Sequence, residues 1–398
     1  MNTMKHNWEY KKLGDCFAYI KNGANIKQDK SNVGYPITRI ETLSNGVFNR
    51  DKVGFAGITE LGKYQQNILC DKDLLMSHIN SKTYVGRTVV YDKLGDEKII
   101  HGMNLLRLVP LDNLLSDFFQ YHTQSLSFKA AIARIRKDAV NQSSFAIGDL
   151  VKIPIPLPPL PIQQKIVAEL DKVSLIIDKK KQQLKELDKL AQAIFYDMFG
   201  DPVENEKGWD VKKLDEVCDV RDGTHDSPKY IDGGEYILIT SKNIVNGKID
   251  YSNISYITKE DYDAINKRSK VDDGDIIMAM IGTIGKPIIV KMENYKFCIK
   301  NVALIKFLKD SMVSNVYIQA LLNSSSFSQH IMSKNQGGTQ KFVSLGTIRK
   351  LEIPLPPLAL QQSFAAKIEA IEKQKELISR SIKEAQTLFD ERMDYWFD

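Results

Sequence analysis

IPLPPLPIQQ, residues Ile155 to Gln164, is spelled again as IPLPPLALQQ from Ile353 to Gln362, eight identities in ten positions at an offset of 198 residues. A shorter echo opens each half, Trp8-Glu-Tyr-Lys-Lys-Leu returning as Trp209-Asp-Val-Lys-Lys-Leu at an offset of 201. The chain is therefore two divergent units, each closed by a nearly identical proline arm. Pro154, Pro156, Pro158, Pro159 and Pro161 exclude helix within the first arm and favour an extended polyproline II spacer, while Pro161 suits the first turn of a helix, where no amide donor is needed.

Behind each arm the apolar spacing is that of a long coiled-coil helix. Ile166, Leu170, Val173, Ile177, Leu184, Leu187, Ala191, Ile194 and Met198 step by fours and threes, with Lys180 the polar exception. Phe364, Ile368, Ile371, Ile378, Ile382, Ala385, Phe389 and Trp396 repeat the pattern, interrupted at Lys375 and Arg392. At 1.5 Å per residue each helix runs roughly 60 Å, and each is expected to pack on the other. Phe199-Gly200-Asp201-Pro202 ends the central helix with a glycine stop and a proline just beyond.

The segments ahead of the arms read as strands followed by helices. Tyr236-Ile-Leu-Ile-Thr, Gly247-Lys-Ile-Asp, Asp275 to Gly282 and Pro287-Ile-Ile-Val are strand-length runs between turn signals at Asn246-Gly247, Asp273-Gly274 and Gly285. Tyr35 to Ile40, Asn45-Gly46, Asp73 to Ser77 and Arg87 to Tyr91 correspond in the first unit. Both units then turn helical, over 114–135 and 313–332. An α+β class follows, with boundaries expected at 1–153, 154–202, 203–351 and 352–398.

Composition narrows the function classes. With 398 residues, 43% apolar content and a net charge of +5, the chain is long enough for two cores and only mildly basic. Cys16, Cys70, Cys218 and Cys298 lie far apart and are expected to be reduced core residues of a cytosolic protein. No signal peptide or membrane span is expected, since the greasiest stretch, 276–290, is broken by Gly282, Gly285, Lys286 and Pro287. The six histidines fall in no ligand spacing, and no phosphate cradle, nucleophile elbow or metalloprotease motif occurs. The Pro-Pro-Leu of the arm is not the signature of an amino-methyltransferase, because Leu157 stands where that chemistry needs Asn or Asp and Leu160 where it needs an aromatic. Catalysis is not expected, and neither a metal nor a cofactor.

Two loop types suit nucleic acid. Arg221-Asp-Gly-Thr-His-Asp-Ser-Pro-Lys-Tyr offers donors from Arg221, Thr224, His225, Ser227 and Lys229 around Gly223 and Pro228. As a plain surface loop it would be shaped by Asp226 capping a turn. Lys334, Asn335, Gln336, Gly337, Thr339, Gln340 and Lys341 follow the late helices of the second unit. Arg134, Arg136, Lys137, Asn141, Gln142 and Ser143 follow those of the first, with Gln142 aligned to Gln340. Glycines allow close approach to phosphate, and amide side chains suit adenine edges. A loop that merely packs on the arm would also recur.

Taken over its whole length the chain resembles the specificity subunit of Type I restriction-modification systems. The resemblance is carried by the two I-P-L-P-P-L-x-x-Q-Q arms with their helices, by Phe195-Tyr-Asp-Met-Phe-Gly-Asp-Pro, and by Asp222-Gly-Thr-His-Asp-Ser-Pro, Gly274-Asp-Ile-Ile and Ile281-Gly-Thr-Ile-Gly-Lys. The first unit departs from it, with Asn22-Gly23-Ala-Asn and Ile79-Asn-Ser-Lys-Thr-Tyr-Val-Gly. The resemblance implies two pseudo-symmetric α/β target recognition domains separated by two long helices forming an antiparallel coiled coil that sets the gap between half-sites. It implies double-stranded DNA as ligand and two methyltransferase subunits as partners, which would bind S-adenosylmethionine, with ATP-driven restriction subunits joined through them. A coiled-coil adaptor that binds no DNA, and a fragment of a fused restriction-methylation enzyme, stay open on the residues alone.

Overall fold

The computed structural model describes residues 8–27, 32–140, 142–245, 247–281, 285–292, 295–308, 311–334 and 342–398. Two compact units emerge, the first formed by residues 1–180 with 381–398 and the second by 181–380.

Each unit is built on a four-stranded antiparallel sheet of the same order. In the first, Phe17–Asn22, Leu105–Pro110, Asp73–Ser77 and Thr88–Tyr91 lie side by side. In the second, Asp219–Asp222, Val302–Lys306, Ile276–Ala279 and Gly285–Ile289 do the same. The inner strands are mostly apolar because both faces are covered, the exception inside them being Arg107, which pairs with the buried Asp73. Leu74, Met76, Leu106 and Leu108 face one core with the helices, while Leu75, Val89, Tyr91 and Leu105 face another. Ile276 and Met278 against Ile277 and Ala279 divide the second unit in the same way.

A buried aspartate anchors the turn into each middle strand. Asp73 accepts the Cys70 amide at 2.6 Å and pairs with Arg107 at 2.7 Å, and Asp275 accepts the Asp272 amide at 2.7 Å and pairs with Lys306 at 2.5 Å. Burial pushes both carboxyls upward from their ordinary value. Cys16, Cys218 and Cys298 are buried, but Cys70 is exposed, because it sits on the turn that Asp73 caps.

The two sequence echoes turn out to be partners. Glu9–Lys12 pairs antiparallel with Pro154–Leu157, Tyr10 opposite Pro156 and Lys12 opposite Pro154, and Asp210–Lys213 pairs with Glu352–Leu355 in the same way. The arm is thus a β-strand rather than a free polyproline spacer. Prolines at alternate positions cost the ladder nothing, since the amides of Ile155 and Leu157 point the other way and stay available. Leu13 and Leu214 extend each pairing, donating to Ile153 at 2.8 Å and Leu351 at 2.9 Å.

The arm's first glutamine explains why its spelling is shared. Gln163 is fully buried; its Oε1 accepts the Leu115 amide at 2.8 Å, and its Nε2 donates to the carbonyls of Asn113 and Pro158, both at 2.8 Å. Gln361 is equally buried, accepting from Ser314 at 2.8 Å and donating to Met312 at 3.2 Å and Pro356 at 2.8 Å. Each glutamine ties the arm back to the residues that open an earlier helix of its unit, Ser116–His122 or Asn315–Asn323.

Two helices of 40 residues, Leu160–Phe199 and Leu358–Phe397, follow the arms. Within the second unit they run antiparallel, with Asp188 beside Lys375 at 2.8 Å and Phe199 beside Phe364 at 5.2 Å between rings. Within the first unit Glu169 pairs with Arg392 and accepts the Trp396 indole at 3.3 Å. Lys375 and Arg392, the breaks in the apolar pattern, are therefore filled by ion pairs across the seam. Phe195 and Phe199 are only 2% exposed while Met198 is half-buried, so the seam drifts by one residue near its end, as a helix of 3.6 residues per turn must against a 3.5 repeat. Gly200 stops this helix at φ 74°, its amide on the Tyr196 carbonyl at 2.8 Å.

Candidate nucleic-acid interface

The loop after strand Asp219–Asp222 is held by a glycine that no other residue can replace without movement. A Cβ on Gly223 would lie 2.3 Å from the Ile299 carbonyl oxygen, and that same carbonyl accepts the Thr224 amide at 3.0 Å. Seated there, the loop gathers a polar cluster. His225 places Nδ1 at 2.8 Å from Asn301 Oδ1 and Nε2 at 2.8 Å from Asp222 Oδ2, and Arg268 pairs with the other Asp222 oxygen. Both ring nitrogens meet acceptors, so the protonated ring is favoured. Asn301 first and Asp222 second raise its pKa above the ordinary value. Lys300 donates to Ser227 at 2.7 Å, and the Lys229 amide donates to Asp261 at 2.9 Å.

Among the residues expected to contact nucleic acid, His225, Ser227 and Lys229 are exposed on this loop. Arg221 is turned back onto Asp219 at 2.5 Å and the Arg268 carbonyl at 3.0 Å, which half-buries it. The Asp226 amide is capped by the Thr224 hydroxyl at 3.2 Å, so Thr224, not Asp226, shapes the turn. Asp222, Arg268, Lys300 and Asn301 complete the cluster; the sequence marked Asp222 as part of a motif, and none of the four as a contact residue. Asn301 stands at φ 54°, where asparagine is among the few residues tolerated, a requirement visible only in the fold.

The first unit carries the same turn with other side chains. A Cβ on Gly23 would lie 2.1 Å from the His101 carbonyl oxygen, which accepts the Ala24 amide at 2.7 Å. Asn22 stands where Asp222 does, and its Nδ2 lies 3.2 Å from His78 Nε2 and 3.2 Å from the Met103 carbonyl. The departure noted in the sequence therefore alters side chains and leaves the turn intact.

The second candidate loop of this unit is a hairpin, Lys137–Asp138 against Ser143–Ser144, with Ile79–Asn80 as the third strand. Arg136 grips Asp138 at 2.7 Å and the Ser143 hydroxyl donates to the same carboxylate at 2.7 Å, so both side chains are committed to the hairpin. Lys137 and Gln142 are exposed on it, Arg134 is exposed in the last turn of the preceding helix Leu126–Ile135, and Lys82 adds a further cation 3.7 Å from Asp138. Lys334 is exposed just past helix Ser325–Ser333. Asn335, Gln336, Gly337, Thr339, Gln340, Lys341 and Asn141 lie outside the described residues.

Comparison with known proteins adds a family. The model of the Type I restriction modification DNA specificity domain matches twice, over residues 5–189 and 206–387. The putative type I restriction enzyme MjaX specificity subunit of Methanocaldococcus jannaschii is 30% identical across 98% of this chain and 94% of its own length. The type I restriction enzyme MjaVIII specificity subunit of the same organism is 23% identical across 96% and 92%. A solved S subunit of a Type-I restriction-modification system from M. genitalium shares the fold at a TM-score of 0.56 and 12% identity, covering 100% of this chain and 98% of that one.

Proposed function

Because the chain belongs to the Type I restriction modification DNA specificity family and is a specificity subunit of such a system, we propose that it reads a bipartite site in double-stranded DNA, one half-site to each unit. The observation that carries this reading is the glycine turn built twice on the same sheet, once with Asp222 and His225 and once with Asn22 and His78. One scaffold with two sets of polar side chains is what reading two different half-sites requires.

In this reading His225, Ser227, Lys229 and Lys334 face one half-site, and Arg134, Lys137 and Gln142 the other. Recognition domains spanning 1–153 and 203–351 present these loops. Exposed Leu175, Ile176 and Leu388, with Leu190 and Leu377, supply apolar helix surface on which two methyltransferase subunits dock, restriction subunits joining through them in the cytoplasm. Adenine methylation needs the base taken out of the stack, so this chain grips the flanking duplex while its partners act. It contributes address and no chemistry.

The test is methylome sequencing of a host that expresses the chain with the modification subunits of its own system. An asymmetric two-part motif with a fixed gap is expected, and no methylation when the chain is expressed alone. A single continuous motif, or methyl transfer by the chain alone, overturns the proposal.

A further inference from the structure

Beside the glycine turn the two units share a second hydrogen-bonded frame. In the first, the Arg39 amide donates to Thr42 Oγ1 at 2.8 Å and the Asn49 amide to the Thr42 carbonyl at 2.8 Å. In the second, the Thr240 amide donates to Asn243 Oδ1 at 3.0 Å and the Asp250 amide to the Asn243 carbonyl at 2.7 Å. Thr42 and Asn243 are buried, so the pins are structural. Matching the frames bond for bond sets Arg39 against Thr240 and Glu41 against Lys242. The glycine-turn bonds set Met103 against Asn301 in the same way. Glu41, Lys242 and Met103 are exposed. A scaffold repeated bond for bond, with the charge at an exposed position inverted, marks a surface where the fold is fixed and the ligand differs.

In the first unit this surface is concave. A cleft of about 400 Å³ opens beside the turn, its walls including Ala24, Arg39, Glu41 and Asn104 over Ile26 and Ile37. Arg39 lies flat on the Gly54 backbone, where a Cβ would come within 2.2 Å of its Nε. A Cβ on Gly102 would lie 2.3 Å from the Thr38 carbonyl oxygen, so the opposite wall also admits only glycine without movement.

We propose that this cleft reads base edges in the half-site held by the first unit, with Arg39, Glu41 and Asn104 as the selecting side chains. Thr240 and Lys242 take the part of Arg39 and Glu41 in the second unit, with Asn301 beside them at the position of Met103. The inference rests on the duplex-reading function proposed above and names the residues that set its sequence. A carboxylate accepts from the exocyclic amine of cytosine, whereas a lysine donates to the O6 and N7 of guanine. The inversion from Glu41 to Lys242 therefore predicts opposite preferences at the base pair each one faces.

The full chain, assembled with the modification subunits of its own system, is used to select duplexes from a library randomised in both half-sites. Glu41→Lys should change the preferred base at one position of one half only, shifting discrimination there by about 5- to 150-fold, with the other half and the gap as in the parent. Lys242→Glu should do the same to the other half only. Both side chains are exposed, so melting temperatures should match the parent; should Glu41→Lys fail to fold, Glu41→Gln keeps the shape and should lose the same discrimination. The parental motif at parental ratios in folded variants overturns the proposal. A uniform loss on all sequences with a shallower salt dependence also overturns it, because that is the signature of a phosphate contact. If the parent selects no two-part motif, it is the duplex-reading function that fails, and the two failures are told apart.

Discussion

His78, His101 and His122 in the first unit are all buried, and burial pulls each below its ordinary value, the last two to about 4. His225 in the second unit is exposed and moved the other way by its acceptors. The signs of their pH effects are therefore opposite. A histidine depressed on folding binds fewer protons folded than unfolded between pH 6.5 and its folded value, so stability is present above 6.5 and lost as pH falls through that window. A histidine raised on folding contributes below 6.5 and loses that contribution as pH rises through its folded value. Taking the protein from pH 7 to 5 should accelerate amide exchange around Phe118 and Ile132 relative to that around Ile318 and Leu321, once corrected for the intrinsic rate. His122→Leu should flatten part of the difference; an unchanged profile in that variant would remove His122 from the account.

At the scale of elements, the arm, the strand it pairs with and the helix it enters form one assembly pinned by a glutamine. Replacing Gln163 by Leu strips three hydrogen bonds and leaves the half-buried Leu115 amide without this partner, at a cost of about 1 to 3 kcal/mol. Gln361→Leu should cost a similar amount through Ser314. Urea unfolding followed by exchange should locate each loss in its own unit, Gln163→Leu loosening 116–122 and Gln361→Leu loosening 315–323. Equal loosening of both segments by either variant would mean that the pin acts elsewhere. The ion pairs of Lys375 and Arg392 contribute little energy in their half-exposed settings, but they disfavour slipped registers of the seam.

For the whole molecule, the C-terminal residues complete a unit that begins nearly four hundred residues earlier in the chain. Trp396 stacks on Trp8 at 6.2 Å, Phe397 packs on Phe118 at 5.4 Å, and the Asp398 carboxylate accepts the amides of Leu126 and Ser127 at 3.0 and 2.7 Å, capping helix Leu126–Ile135. Deleting 393–398 removes two buried aromatics, Met393 and the cap together. The first unit should then melt early, by several kcal/mol on the scale of single core truncations, while the second keeps its protection. Loss of protection in both units together would show that they do not unfold as separate bodies.

The duplication, the α+β class, the strand runs at 73–77 and 276–279 and the two long helices were all legible in the sequence, because each rests on local spacing: a copied decapeptide, strand-length apolar runs between turn signals, apolar steps of three and four. The family was legible too, since it is carried by contiguous motifs. What the sequence did not disclose depends on residues far apart in the chain. The arm's pairing with 9–12 is decided by a ladder spanning some 145 residues, and the role of Gln163 by carbonyls that only the folded chain gathers around it. The cluster around His225 draws Arg268 and Asn301 from two other elements, and the frames that set Glu41 against Lys242 become comparable only through their hydrogen bonds. Local patterning fixes which elements form, because backbone geometry and burial are felt within a few residues. Which side chains meet at a site is settled by packing, where each contact depends on all the others being in place.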